Sequence, residues 1–343
     1  MPISTMISRR NLLIMPLALA ACKPGTALLE LTGLTMGTTY NVVALDHDGA
    51  TRATDLRRAI ETALAEVTAT MSNWDPTSEI SQLNARTAPD PVRLSPHLAD
   101  VLQAAEDVHA ASDGKFDVTV GPLIDLWGFG AGPGVTHTPG DPAIAAALAR
   151  SGHRRALRLG VGTLRKTKPG ATIYLSAIGK GYGVDMIART LESFGLRNYM
   201  IEIGGDLYAS GRNPDGLPWQ IGIETPDART RGLHRVVGVS NLGMATSGDY
   251  RNFFEEDGVR YSHIVDPGTG RPITHHTVSA TVMTDNAMLA DAWATAMLIL
   301  GRERGLEIAE ARNLAVLFIE RVAETPKAQL ITTPSTRFTE LQA

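Results

Sequence analysis

The chain has 343 residues, 43% of them hydrophobic and 20% charged, with a formal net charge of −4. That length and balance are enough for the core of one large domain or two smaller ones and exclude a disordered chain. The weakly acidic charge excludes the basic face of a nucleic-acid binder, so no nucleic-acid partner is expected.

The N-terminus, MPISTMISRRNLLIMPLALAAC, carries Arg9 and Arg10, then a short apolar run from Leu12 to Leu19, then small residues. The run is shorter than the roughly 20 apolar residues that cross a bilayer, so residues 1–21 read as an export signal. Ser8 to Leu12 also resembles a twin-arginine signal. Cys22, the only cysteine, directly follows Leu19-Ala20-Ala21. This resembles the lipobox of bacterial lipoproteins, in which cleavage exposes a cysteine that is then lipidated; the alternative is a chance thiol. With that thiol lipidated, no disulfide or thiolate ligand remains, and any metal must be held by oxygen or imidazole. Residues 22–34 read as a tether running into a first strand or hairpin. Residues 35–343 contain no repeat or low-complexity linker and read as one continuous unit.

Apolar spacing predicts a helix from Thr54 to Thr70, with Thr54 as its cap, and a second from Ser95 to Ala111. Between them, MSNWDPTSEISQLN (71–84) holds Trp74 ahead of an Asp75-Pro76 turn; a loop tryptophan can stack on a planar ligand or simply pack in the core. A short helix follows at 139–151. Strands are predicted at 172–176, 199–203, 206–210, 219–224, 235–240, 278–283 and 314–319, and helices at 180–194, 285–300 and 302–312. Strands and helices come in runs, which predicts an α+β fold.

Three constellations could carry chemistry. In TDNAMLADAWATAMLILG (284–301) Thr284 or Asp285 offers a cap, and Asp291 and Thr295 are the only polar residues from Ala287 to Leu300. At i, i+4 they share a helix face. Either they bind a hard cation such as Mg²⁺ together with phosphate oxygens, or Asp291 is satisfied by an Arg or Lys while Thr295 bonds back to its own helix. In YLSAIGKGYGVDMIARTLESFG (174–195) Gly179, Gly181 and Gly183 surround Lys180 at a helix entrance, where an anion is favoured; close packing of the helix on a sheet is the other reading. In YSHIVDPGTGRPITHH (261–276) a strand runs into an Asp-Pro-Gly-Thr-Gly turn. His275 and His276 face opposite sides of an extended chain, so they cannot both join His263 at one metal. His263 alone is either structural or a proton carrier. Gly204-Gly205 before Asp206 is a bulge between strands or a ligand-facing turn.

In order along the chain, TMGTTYNV, MSNWDPTSEISQLN, GKFDVTVGPL, LSAIGKGYGVD, IEIGGDLYASG, ATSGDYRNFF, YSHIVDPGTGRP and ADAWATAMLILG resemble the ApbE family of FAD:protein FMN transferases, over roughly Thr35 to Gly301. The resemblance implies a single domain related to the T-fold, with mixed, largely antiparallel sheets packed by helices. It implies FAD as substrate, with Mg²⁺ on its pyrophosphate held by Asp291, Thr295 and the Ala177 carbonyl. Met36, Trp74, Lys115, Phe116, Asp117, Lys180, His263 and Ile264 would line the flavin nucleotide, and His263 and Asp291 would be catalytic. Trp74 replaces a common tyrosine, Tyr174 stands where an aspartate is usual, and Gly268 where a basic residue is usual. The implied reaction moves FMN from FAD onto a threonine hydroxyl of a target flavoprotein, typically a subunit of a membrane redox complex, and releases AMP. A lipid on Cys22 would hold the chain in the bacterial envelope, facing the periplasm. The same residues could serve an Mg²⁺-dependent FAD pyrophosphatase giving FMN and AMP, and a non-catalytic flavin-binding lipoprotein is the third alternative.

Overall fold

The computed structural model describes residues 26–131, 134, 137–227, 232–322 and 329–343; the export signal and Cys22 lie outside them. Met36 and Gly37 both take positive φ, 49° and 72°, the geometry of a two-residue hairpin turn matching strand twist. They join β1 (Ala27–Thr35) to β2 (Thr38–Asp46) in register from Ala27 opposite Asp46 to Thr35 opposite Thr38. Most of the expected tether is therefore an edge strand of the main sheet. β3 (Asn198–Ile203), β4 (Asp206–Ser210), β5 (Leu242–Gly248), β6 (Thr277–Thr284), β7 (Ala315–Arg321) and β8 (Leu330–Pro334) complete it. The eight strands lie side by side in chain order, and each neighbouring pair is antiparallel.

Strand alternation divides the core between two faces. Val316 and Phe318 of β7 point to one side with Ala280 and Val282 of β6, while Ala315, Leu317 and Ile319 point to the other. The first face is covered by helices α1 (Ala53–Met71), α2 (Pro96–Ala111), α3 (Gly179–Ser193) and α4 (Ala287–Arg312). The second is covered by the hairpin Trp219–Glu224/Leu233–Val239 and the C-terminal helix Thr336–Leu341, whose Phe338 is fully buried. The domain is α+β, and α4 breaks at Gly301, whose φ of 72° and ψ of 170° separate the two predicted helices.

Three local expectations change. Thr54 lies inside α1, whose N-cap position is Arg52 without a side-chain cap. The cap of α4 is Asn286, whose side chain accepts from Leu289 N at 2.8 Å, rather than Thr284 or Asp285. Residues 172–176 belong to no sheet: 172–175 have no regular structure and Ser176 begins a turn. Two asparagines stand in for a neighbouring strand: Asn84 donates to the Ile173 carbonyl and accepts from Ile173 N at 2.8 and 2.7 Å, and Asn73 bridges the Ile173 carbonyl and Leu175 N at 2.8 and 3.0 Å. Backbone polar groups buried here need partners, and these amides supply them. Asn84→Ala is expected to lower unfolding stability by about 2 kcal/mol, read from the urea midpoint, because Ile173 N loses its partner and the Ile173 carbonyl keeps only Asn73.

Candidate active site

α3 and α4 touch through glycine. A Cβ on Gly181 would lie 2.2 Å from the Ala287 carbonyl oxygen, and one on Gly183 would lie 2.6 Å from Met36 Cε. At those two positions the packing reading of the glycine loop holds, whereas Gly179 has open space around its missing side chain. The close approach has a chemical result. Gly181 N–H donates to Asp291 Oδ2 at 3.1 Å, and no hydrogen bond to the Ala177 carbonyl is found among the described residues. Gly181→Ala is expected to push α3 off α4 and to cost about 3 kcal/mol in denaturant unfolding, since neither contacting backbone can yield.

Asp291 is 4% exposed. Lys180 Nζ lies 3.7 Å from its Oδ1 and also pairs with Asp206 at the start of β4. Glu202, four residues before Asp206, is buried as well and is held by Asn41 Nδ2 at 2.7 Å and Gly205 N at 2.6 Å. Three buried carboxylates thus gather about one ammonium. Burial, then the neighbouring Asp206, pushes Asp291 up to about 7 against the pull of Lys180. Burial likewise raises Glu202. Burial alone would lower Lys180, but Asp206 and Asp291 hold it above the usual lysine value. The second reading of Asp291, satisfied by a lysine, is thus partly realised, yet one lysine leaves the acids with excess negative charge. A divalent cation fits that excess, and an oxygen-only set of carboxylate, hydroxyl and free carbonyl suits Mg²⁺.

The Thr295 hydroxyl turns away from its own helix and meets Ser247 Oγ of β5 at 3.0 Å. Asp185 of α3 caps α4 by accepting from Ala287 N and Met288 N at 2.8 and 3.0 Å. Burial pushes that carboxyl up to about 6.

His263 follows the strand Val259–Ser262 and is half-buried. Its Nδ1 lies 3.1 Å from the Asn252 carbonyl, and its ring meets Phe129 edge-on at 6.2 Å. A carbonyl only accepts, so the neutral ring carries its proton on Nδ1 and leaves the Nε2 lone pair free. Burial lowers its pKa, and the charge of Lys180 lowers it further. His275 sits elsewhere, against Gly301 at the α4 break.

The remaining candidates are dispersed. Trp74 is 59% exposed, its ring 5.6 Å from that of Tyr174. Burial, with Asp125 beside it, pushes the Tyr174 phenol up to about 12. Lys115 pairs with Asp266 at 2.7 Å, and Asp266 also accepts from Gly268 N at 2.8 Å. Phe116 and Ile264 have their side chains in the core shared with α2 and α4. Asp117 is buried, accepting from Thr119 N at 2.7 Å and His153 N at 2.9 Å. Sequence reasoning missed Glu202 and Ser247; the signal available for Glu202 was an acid in an otherwise apolar strand, IEI, ahead of a double-glycine turn.

The ApbE family model matches residues 36–318. An FAD:protein FMN transferase of Haemophilus influenzae is 43% identical over 315 residues, 90% of this chain and 90% of that one. One of Vibrio cholerae is 42% identical over 303 residues, 88% and 90% of the two chains. Among solved structures, the flavin transferase ApbE from Vibrio cholerae superposes with a TM-score of 0.84 at 39% identity, covering 92% of this chain and 99% of that one. The apbe protein of Thermotoga maritima reaches 0.81 at 26% identity, covering 92% and 100%. Sequence and shape agree over the whole folded unit, including the helices that bring Lys180 to Asp291, and the chain is a member of the ApbE family.

Proposed function

We propose that this protein is an FAD:protein FMN transferase that joins FMN to a threonine hydroxyl of a target protein and releases AMP. The observation that carries the reading is the gathering of Asp291, Asp206 and Glu202 around Lys180, a pocket with more carboxyl groups than cationic side chains, whose acids a bound cation would hold ionised beside phosphate. Asp291, Thr295 and the Ala177 carbonyl would hold Mg²⁺, which supplies positive charge to the pyrophosphate when bound.

The protein's own groups do the rest. Lys180 remains charged and steadies the phosphate oxygens. The threonine oxygen attacks the FMN-side phosphorus while the bond to the AMP oxygen breaks. His263 Nε2 takes the hydroxyl proton, its ring fixed by the Asn252 carbonyl. Trp74, exposed beside Tyr174, offers a flat apolar face to an aromatic ring of FAD. Met36 packs against Gly183 near the entrance of α3, and Lys115, tied to Asp266, would meet the flavin nucleotide from the other side of the site. Phe116 and Ile264 have buried side chains, so their contribution to a ligand is backbone.

Lipid on Cys22 would hold the enzyme in the bacterial envelope, facing the periplasm, beside a flavin-carrying subunit of a membrane redox complex. The test is incubation with FAD, Mg²⁺ and such a target domain. Flavin fluorescence that stays with the target on a denaturing gel is expected, and disappears when the acceptor threonine is replaced. Free FMN and AMP without labelled protein would instead identify a pyrophosphatase, and unchanged FAD a binding protein.

A further inference from the structure

A second cluster lies outside the reaction just described. His109 on the last turn of α2, Asp117 in the turn that follows and His153 at the start of the short helix His153–Ala156 each place one ligand-type atom within 4.8 Å of the others. His109 Nδ1 lies 2.7 Å from the Phe116 carbonyl, so its proton sits there and Nε2 carries the lone pair. That is how an outer carbonyl orients an imidazole for ligation. Asp117 is locked by Thr119 and by His153 N–H, which fixes its oxygens at the cluster.

His153 is the informative residue. It is 1% exposed, and its Nδ1 has no hydrogen-bond partner at all. Its Nε2 faces the Glu106 carboxylate at 2.7 Å, which leaves Nδ1 as the nitrogen with no partner. Buried polar atoms without partners are rare and call for a ligand. The His109 and His153 rings stack at 4.8 Å, which holds both imidazoles at the cluster. A cavity of about 210 Å³, lined by His109, Asp117, His153 and Gly268 among others, gives an ion a way in.

We propose that His109, Asp117 and His153 bind a transition-metal ion, with zinc the best match, as a site separate from the Asp291 pocket. Two imidazoles and one carboxylate favour such an ion over Mg²⁺ or Ca²⁺, which take oxygen ligands. Ligands about 2.1 Å from zinc stand roughly 3.4 Å apart, a contraction the half-exposed His109 can supply by rotating its ring. The ion clips together α2, the 115–119 segment and the short helix His153–Ala156, which runs into the strand Leu157–Gly160 of a small three-stranded sheet with Thr163–Lys166 and Val92–Arg93.

The test uses the mature chain, stripped with chelator and titrated with Co²⁺ alone and then Zn²⁺ alone. One equivalent of Co²⁺ should give a visible absorption band that Zn²⁺ bleaches. The band should survive Asp291→Ala and vanish in His109→Gln, and Zn²⁺ should raise Tm in the first variant only. In the unmutated protein the ring-nitrogen NMR signals of His109 and His153 should shift together on adding Zn²⁺, which tests the site whatever the variant's stability. Absence of a band, its persistence in His109→Gln, its loss in Asp291→Ala, or unmoved histidine signals would overturn the assignment.

Discussion

Asp291→Asn should lower flavin transfer by about 10³-fold or more while raising the melting temperature of the ligand-free protein. The two effects share one cause. In the fold the carboxyl is raised from 3.8 to about 7, by burial first and Asp206 second. A folded-state pKa above the unfolded one means that the fold prefers the neutral acid. Stability from this group is therefore greatest at low pH and falls as pH rises from about 4 through 7. Asparagine keeps an oxygen for the Gly181 N–H at the same place and carries no charge. The Tm gain should accordingly be absent near pH 4 and complete above pH 7, and calorimetry at the two values measures it. Mg²⁺ with FAD should raise Tm in the wild type and leave the variant unmoved, since the charge that would hold the cation is gone. Transfer at the wild-type rate by Asp291→Asn would remove the basis for the proposed site.

What the sequence discloses and what it hides follow from how each residue is positioned. Asp291 and Thr295 are legible because a single apolar helix sets their spacing, and the helix places them as periodicity requires. Lys180 is legible as a charge at a helix entrance, but its partners Asp206 and Glu202 arrive through a hairpin that pairs only in the folded sheet. β5 goes unpredicted because LGMATSG is poor in strand-forming side chains. Its place is explained by packing: a Cβ on Gly243 would lie 2.4 Å from the backbone of Asn286 and Ala287, so glycine lets the sheet approach α4. The 172–176 segment has the composition of a strand, and only the distant Asn73 and Asn84 reveal why it needs no strand beside it. At the entry of α4, three potential caps stand in a row in TDN, and the backbone turn selects Asn286. Nothing in the sequence links His109 to His153, and only the fold brings the end of α2 beside the short helix His153–Ala156, where the two rings stack.

His263→Ala should slow flavin transfer by about 10² to 10⁴-fold with FAD binding retained, the range expected when a positioned base is removed. The pH profile separates this role from a structural one. Burial, helped by the charge of Lys180, lowers the imidazole below its ordinary 6.5, so it is neutral and able to accept a proton at pH 7. At saturating Mg²⁺, which would keep the Asp291 carboxylate ionised, wild-type transfer should be level around neutrality and fall as pH drops through a value below 6.5, where Nε2 becomes occupied. In His263→Ala that acidic limb should vanish along with the rate. Lys180→Met supplies the crossed measurement: with the nearby positive charge removed, the His263 pKa rises, and the limb should move towards higher pH even though the overall rate is reduced. A limb that stays fixed in Lys180→Met, or survives in His263→Ala, would assign the proton to another group and leave the imidazole as a packing partner of Phe129.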